Sequence, residues 1–253
     1  MGTTNMKAMM DELVGSAPKF FAQNMVGASE QDIARLEVAA GTVLSDGHRT
    51  LLRYLGGTSA EECELSVFIA GRDLSIPTIL QCYEEYGAPP AGYCYLSNVP
   101  EERVVLKHGK TPEDDPLLGA LTWETEEFYF FDPAQEEHLE DWILKWVTNF
   151  RIAQPEFCVS WNGRMDTPDW SEPYKETMAV LTQMGFQAVA SHPTSTFITR
   201  DLACAKIFSD GSATMAGDDL DEIKHIMAVL KDHTYIQGLH LKPATNRVRA
   251  PRE

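Results

Sequence analysis

The chain has 253 residues, 43% of them hydrophobic and 23% charged, which is enough apolar material for a full core and too much for a disordered protein. Its net charge of −17 is unevenly spread: residues 1–150 carry 25 Asp and Glu against 10 Lys and Arg, whereas residues 151–253 carry 13 against 11. That surplus opposes nucleic acid as a partner and suits a basic protein, or else an ordinary solvated acidic surface, since net charge alone says nothing about fold.

In chain order, Met1–Met10 holds Lys7 as its only base and lacks the apolar core of a secretory signal. The first strong element begins at Ser29. There a hydroxyl caps a helix with Asp32 three residues on, Ile33, Leu36 and Ala40 follow at helical spacing, and Gly41 ends it. Ser45-Asp46 opens a second helix with Leu51, Leu52 and Leu55 on one side, and Gly56-Gly57 is expected to supply a left-handed stop. Leu65–Ala70 reads as a buried strand, and Ser75 with Pro77 starts a helix carrying Ile79, Leu80 and Tyr83 that Gly87 closes.

Four short strands are expected at residues 93–96, 103–107, 118–123 and 128–131. Asp132-Pro133-Ala134-Gln135 then reads as the start of a long helix with Leu139, Trp142, Ile143, Trp146, Val147 and Phe150 on one broad apolar stripe. After Pro155 come a strand at 157–161 and a helix from Ser171 stopped by Gly185. Strands near 186–190, 196–199 and 203–208 follow, then an Asp210-Gly211 hairpin into 213–216. Leu220, Ile223, Ile226, Met227 and Leu230 share one side of a last helix, and residues 235–241 return as an edge strand. The tail from 243 has three arginines and no apolar period, so disorder is expected there.

The stretch from Ser29 to Gly57 resembles the opening of SUKH superfamily proteins. Those begin with an acid-rich capped helix containing Ile-x-x-Leu-Glu, a short Gly-x-x-Leu-Pro link, and a second helix that ends in an aromatic and a glycine turn. Ile33, Leu36, Glu37, Gly41, Leu44, Leu52, Tyr54 and Gly57 match that pattern; Ser45 replaces its proline and Leu55-Gly56 its Asn-Gly. Many members are immunity proteins that bind and block a toxin, so the resemblance implies a binding protein without chemistry. It agrees with the charge, because nuclease and deaminase toxins carry Lys and Arg to hold phosphates. The acids proposed to meet such a toxin are Glu61, Glu62, Glu84, Glu85, Glu113, Asp114, Asp115, Glu124, Glu126 and Glu127. Ala205–Gly217 with the helix behind it is similar to a half-repeat of TATA-box-binding proteins, but the basic face and the phenylalanine wedges of that family are missing.

The familiar phosphate, dinucleotide, zinc-protease and nucleophile-elbow motifs are absent from the sequence. Five cysteines, Cys63, Cys82, Cys94, Cys158 and Cys204, are odd in number and form no Cys-x-x-Cys pair. They are expected as reduced, mostly buried thiols without a zinc site. His225, His233 and His240 fall on different elements and are not expected to share a metal; Cys94 with a distant His192 or His138 is the one nucleophile pairing worth naming, and a buried thiol is the simpler reading. The expectation is therefore an α+β protein: a mixed or antiparallel sheet flanked by helices over residues 1–150, SUKH-like, with a second, smaller α/β region over 151–242. It is expected to be cytoplasmic, to have no cofactor and no membrane or nucleic-acid partner, and to neutralise a cognate basic toxin by covering its active site. A non-catalytic regulatory interaction module is the alternative, followed by an enzyme lacking familiar motifs.

Overall fold

The computed structural model of the chain describes residues 6–16, 18–57, 73–99, 102–122, 125–131, 136–153, 155–162, 171–192, 195–201, 203–233 and 237–243. It is an α+β protein in which every strand pairing among these residues is antiparallel. The chain falls into two compact units, Asn5–Trp146 and Val147–Glu253. No helix among the described residues is long and apolar enough to cross a membrane.

The first unit opens with α1 (Met6–Ser16) and α2 (Pro18–Asn24). The first strong element expected from the sequence begins at Ser29, so these two helices are additional to that expectation. The signal was there: Met6, Met9, Met10 and Leu13 recur at helical spacing and are all buried, and α1 packs on α4 (Asp46–Leu55).

Between them, α3 (Glu30–Ala40) starts and stops as expected. Ser29 Oγ accepts from the Asp32 N–H at 3.1 Å and donates to Asp32 Oδ2 at 2.6 Å, and Gly41 closes the helix at φ +64°. Removing that cap, Ser29→Ala, is expected to lower stability by about 1 kcal/mol, read as a lower urea midpoint at unchanged m-value. Glu37 ties the link that follows: its Oε1 accepts the Leu44 N–H at 3.0 Å and lies 3.4 Å from Arg49 Nη1.

Helix α4 is capped by Ser45, which accepts the His48 N–H at 3.2 Å, and buries His48, Leu51, Leu52 and Leu55 on one stripe. Its end differs from the left-handed stop expected, since Gly56 has φ −89°. What the glycines supply here is room. The segment leading into α3 runs against the end of α4, with Ala28 N donating to Leu52 O and Gly57 N to Val26 O, each at 2.9 Å. A Cβ on Gly27 would sit 1.8 Å from the Arg53 carbonyl oxygen, and one on Gly57 2.5 Å from that of Val26.

Helix α5 (Ile76–Tyr86) follows, its entry held by Asp73, which accepts from Ser75 N at 2.9 Å and Thr78 Oγ1 at 2.6 Å. The strand expected at 65–70 lies outside the described residues. Strands β1 (Tyr93–Val99), β2 (Glu102–Lys107), β3 (Leu117–Leu121) and β4 (Phe128–Tyr129) form the first sheet in that order, and β5 (Glu137–His138) also pairs with β3. Ile33, Leu36, Leu52, Ile79, Tyr95 and Val105 close the core between these helices and the sheet.

Helix α6 (Leu139–Ala153) buries Leu139, Trp142, Ile143, Val147 and Phe150, the stripe expected from its period. The Asp132–Gln135 cap proposed for it lies outside the described residues. Its first turn starts at Leu139 instead, after β5, and Asp115 caps it from 25 positions upstream through both carboxylate oxygens, 3.2 and 3.3 Å from Glu140 N.

The second unit is a six-stranded sheet in the order β11-β6-β10-β9-β8-β7. Its strands are β6 (Phe157–Asn162), β7 (Gln187–His192), β8 (Ser195–Arg200), β9 (Ala203–Phe208), β10 (Ala213–Gly217) and β11 (Gln237–Pro243). Helices α7 (Ser171–Gln183) and α8 (Leu220–His233) accompany it, and Val159, Trp161, Phe186, Ile198, Met215 and Leu230 fill its core. The Asp210-Gly211 turn forms as expected, with Gly211 at φ +79° and Asp210 Oδ1 accepting the Ser212 N–H at 2.8 Å. Strand β11 lies at an edge of the sheet, also as expected, and the tail after Pro243 lies outside the described residues.

Candidate functional site

Of the ten acids singled out from the sequence, Glu61, Glu62 and Glu124 lie outside the described residues. Glu84 and Glu85 are exposed on the last turns of α5, and Glu85 accepts a hydrogen bond from Gln81 Nε2 at 2.7 Å. Glu113 and Asp114 are exposed on the loop between β2 and β3, where the Thr111 N–H, 2.8 Å from Asp114 Oδ2, holds that carboxyl below its usual range. Glu126 and Glu127 are exposed in the β3–β4 turn; Glu126 sits at φ +55° and lies 3.2 Å from the buried Arg103 guanidinium.

Asp115 is different, because it is turned inward. Burial pushes its carboxyl up to about 7, opposed by the Glu140 N–H it accepts and reinforced by Asp141. Glu140 is likewise pushed up to about 7, by burial first and by the Asp115 charge second, with the Met6 N–H and His138 acting the other way. The pair fastens three segments: Asp115 caps α6, Glu140 Oε1 accepts the Met6 N–H at 3.3 Å, and His138 Nδ1 lies 3.1 Å from the Asp115 carbonyl oxygen. An acid used this way serves the fold.

An open groove of about 620 Å³ lies between α3 and α5. Ala34, Val38, Leu80 and Tyr83 give it an apolar floor, and Arg35 and Glu84 stand among its polar walls. Val38 is 82% exposed, the most exposed of the large hydrophobic side chains described. Sequence reading treated α3 as a capped core helix and passed over Val38, although its position off the Ile33–Leu36–Ala40 stripe was visible in the pattern.

A second group of side chains was also missed. His48 on α4, Cys94 on β1 and His108, just past the end of β2, each offer a ligand atom within 4.8 Å of the other two. The two rings lie 6.3 Å apart between centroids at 26°, and Tyr83 Oη is 3.3 Å from Cys94 Sγ. His48 and Cys94 are fully buried, and burial holds the His48 imidazole down at about 3 with His108 adding to the effect. The sequence offers a distant His192 or His138 as the partner of Cys94. His138 faces Asp115 instead, and the histidines beside Cys94 are His48 and His108. The clue was His48 itself, four residues before Leu52 on the buried stripe of α4, but the other two donors come from separate elements and leave no spacing to read.

No protein-family model, no curated protein and no solved structure matches the chain.

Proposed function

We propose that this chain is a non-catalytic, cytoplasmic binding protein of the immunity type, which occludes a basic toxin with the acidic face of its first unit. The observation that carries the reading is the α3–α5 groove, where a solvent-facing Val38 lies in an apolar floor with Glu84 on the rim. An apolar centre with a charged surround is how protein contacts divide labour: desolvated side chains hold the complex, while peripheral charges hasten the encounter. The groove falls in the half of the sequence with the acidic excess, and α3 belongs to the stretch that resembles SUKH proteins. Cys82, Cys94, Cys158 and Cys204 are buried free thiols, consistent with a reducing compartment.

The test is a growth-protection assay in which the basic product of an adjacent reading frame is expressed with or without this chain. The native chain is expected to protect and to bind that product at 1:1. Glu84→Lys combined with Glu85→Lys is expected to slow association roughly tenfold at low ionic strength, with the difference shrinking as salt rises. Val38→Asp should instead speed dissociation about tenfold. Protection and rate constants unchanged in both variants would remove the groove from the contact, and failure of the native chain to bind the product would reject the immunity reading.

A further inference from the structure

Buried imidazoles are costly when their nitrogens lack partners. Both nitrogens of the fully buried His48, and Nε2 of His108, have no hydrogen-bond partner among the described residues. Each such atom loses its hydration without compensation, and an orphan polar group of this kind calls for water, an ion or a chemical role. Here the orphans are close to a thiol, and the three donors converge from three elements whose positions are fixed independently. The Asp46 N–H donates to Pro112 O at 2.8 Å, joining the start of α4 to the β2–β3 loop, and His108 N donates to Gly92 O at 2.9 Å, joining that loop to the start of β1.

We infer that His48, Cys94 and His108 form a Zn²⁺ site in the first unit. One nitrogen from each ring and the Cys94 sulfur are three of its ligands; a site with three protein donors differs from the closed four-ligand structural type in leaving one tetrahedral position to a small exogenous ligand such as water. The donor set is the borderline-soft mixture of thiolate and imidazole that zinc takes, and it lacks the oxygen donors that calcium and magnesium require. With Zn–N of about 2.0–2.1 Å and Zn–S of about 2.3 Å, tetrahedral ligand atoms lie roughly 3.3–3.6 Å apart. From the observed limit of 4.8 Å the donors thus close by about 1.2–1.5 Å at most, through side-chain rotation.

On binding, the Cys94 thiol gives its proton to solvent and loses its hydrogen bond to the Tyr95 carbonyl oxygen as sulfur takes the metal, the imidazoles enter neutral, and the hydrated ion releases the waters they displace. Tyr83 Oη, 3.3 Å from the sulfur, donates a hydrogen bond to the resulting thiolate. Tyr83 also lines the α3–α5 groove, so one side chain touches both features. The site stands independently of the immunity reading.

The test uses the full chain, stripped with a chelator under reducing conditions and titrated with Zn²⁺, and with Co²⁺ as a spectroscopic substitute. One equivalent of Zn²⁺ is expected to bind and raise the melting temperature. Co²⁺ is expected to give intense visible bands of a tetrahedral site and a near-ultraviolet sulfur-to-metal charge-transfer band. Cys94→Ser should abolish the charge-transfer band, whereas Cys158→Ala, in the other unit, should keep it. His108→Gln, at the least buried of the three donors, should weaken Zn²⁺ at least 100-fold even if Cys94→Ser fails to fold, and Tyr83→Phe should weaken it about tenfold. The proposal is overturned if the native chain binds no stoichiometric Zn²⁺, if the band survives in Cys94→Ser, if His108→Gln binds as tightly as the native chain, or if only copper(I) binds.

Discussion

Gly27→Ala is expected to destabilise the first unit by about 3 kcal/mol, and urea unfolding followed by circular dichroism would measure it. The added methyl would meet the Arg53 carbonyl oxygen at 1.8 Å, and that atom is backbone near the end of α4, with no rotamer to move aside. Relief requires separating the 26–28 segment from α4. That breaks the pair of hydrogen bonds from Ala28 N to Leu52 O and from Gly57 N to Val26 O. Gly15 on α1 provides the internal comparison, because a methyl there meets nothing within 4 Å and Gly15→Ala should stabilise by about 0.5–1 kcal/mol. A loss below 1 kcal/mol for Gly27→Ala would mean that the segment yields and that the close approach is incidental.

Asp115→Asn is expected to stabilise the protein by about 2 kcal/mol at pH 8 and to leave it nearly unchanged at pH 4. Both carboxyls of the Asp115–Glu140 pair are pushed up to about 7 in the folded state, from 3.8 and 4.5. A raised acid means that the folded chain holds its proton more tightly than the unfolded one. The pair's contribution to stability is then greatest below pH 4, declines as pH rises towards 7, and carries its whole cost above it. Three units at about 1.4 kcal/mol each set the upper limit for Asp115, reduced here because its side chain is still 26% exposed and because the pair shares one titration. Asn keeps an oxygen for the Glu140 N–H, so the cap survives while the charge goes. Glu140→Gln should act in the same direction and, by removing the facing charge, leave the remaining acid easier to ionise. Chemical denaturation of the native chain and of Asp115→Asn from pH 4 to 8 decides the matter: the buried His48 acts on total stability in the opposite direction, so the readout is the difference between the two proteins, and a difference that stays constant across that window would refute the assignment.

What could be read from the sequence was the punctuation. Ser29, Ser45, Gly41 and the Asp210-Gly211 turn act through bonds to residues within a few positions, so their meaning is carried locally. The α6 stripe and the edge position of β11 were legible for a related reason, since periodicity and chain order bear on them directly. The opening of α6 was not, because its cap comes from Asp115 and no window around Leu139 contains that residue. Helix α1 was overlooked for a different reason: its four buried side chains are three methionines and one leucine, in a stretch read only for a targeting signal.

The site divides along the same line. Glu84 and Glu85 were identified from charge and are exposed, but charge could not show that Asp115 is turned into the fold or that Val38 stands clear of it. His48, Cys94 and His108 become one group only after a helix, a strand and a loop have met.

That long-distance cap also bears on the order in which the molecule assembles. An amide bonded to a neighbour three residues away can close its turn in the unfolded chain, whereas Glu140 N waits on a carboxylate 25 positions earlier, beyond the whole β3–β4 hairpin. The loop entropy must be lost before the bond can repay it, so the first turn of α6 sets late. Its contribution therefore falls mainly on how slowly the finished protein opens and little on how fast it forms.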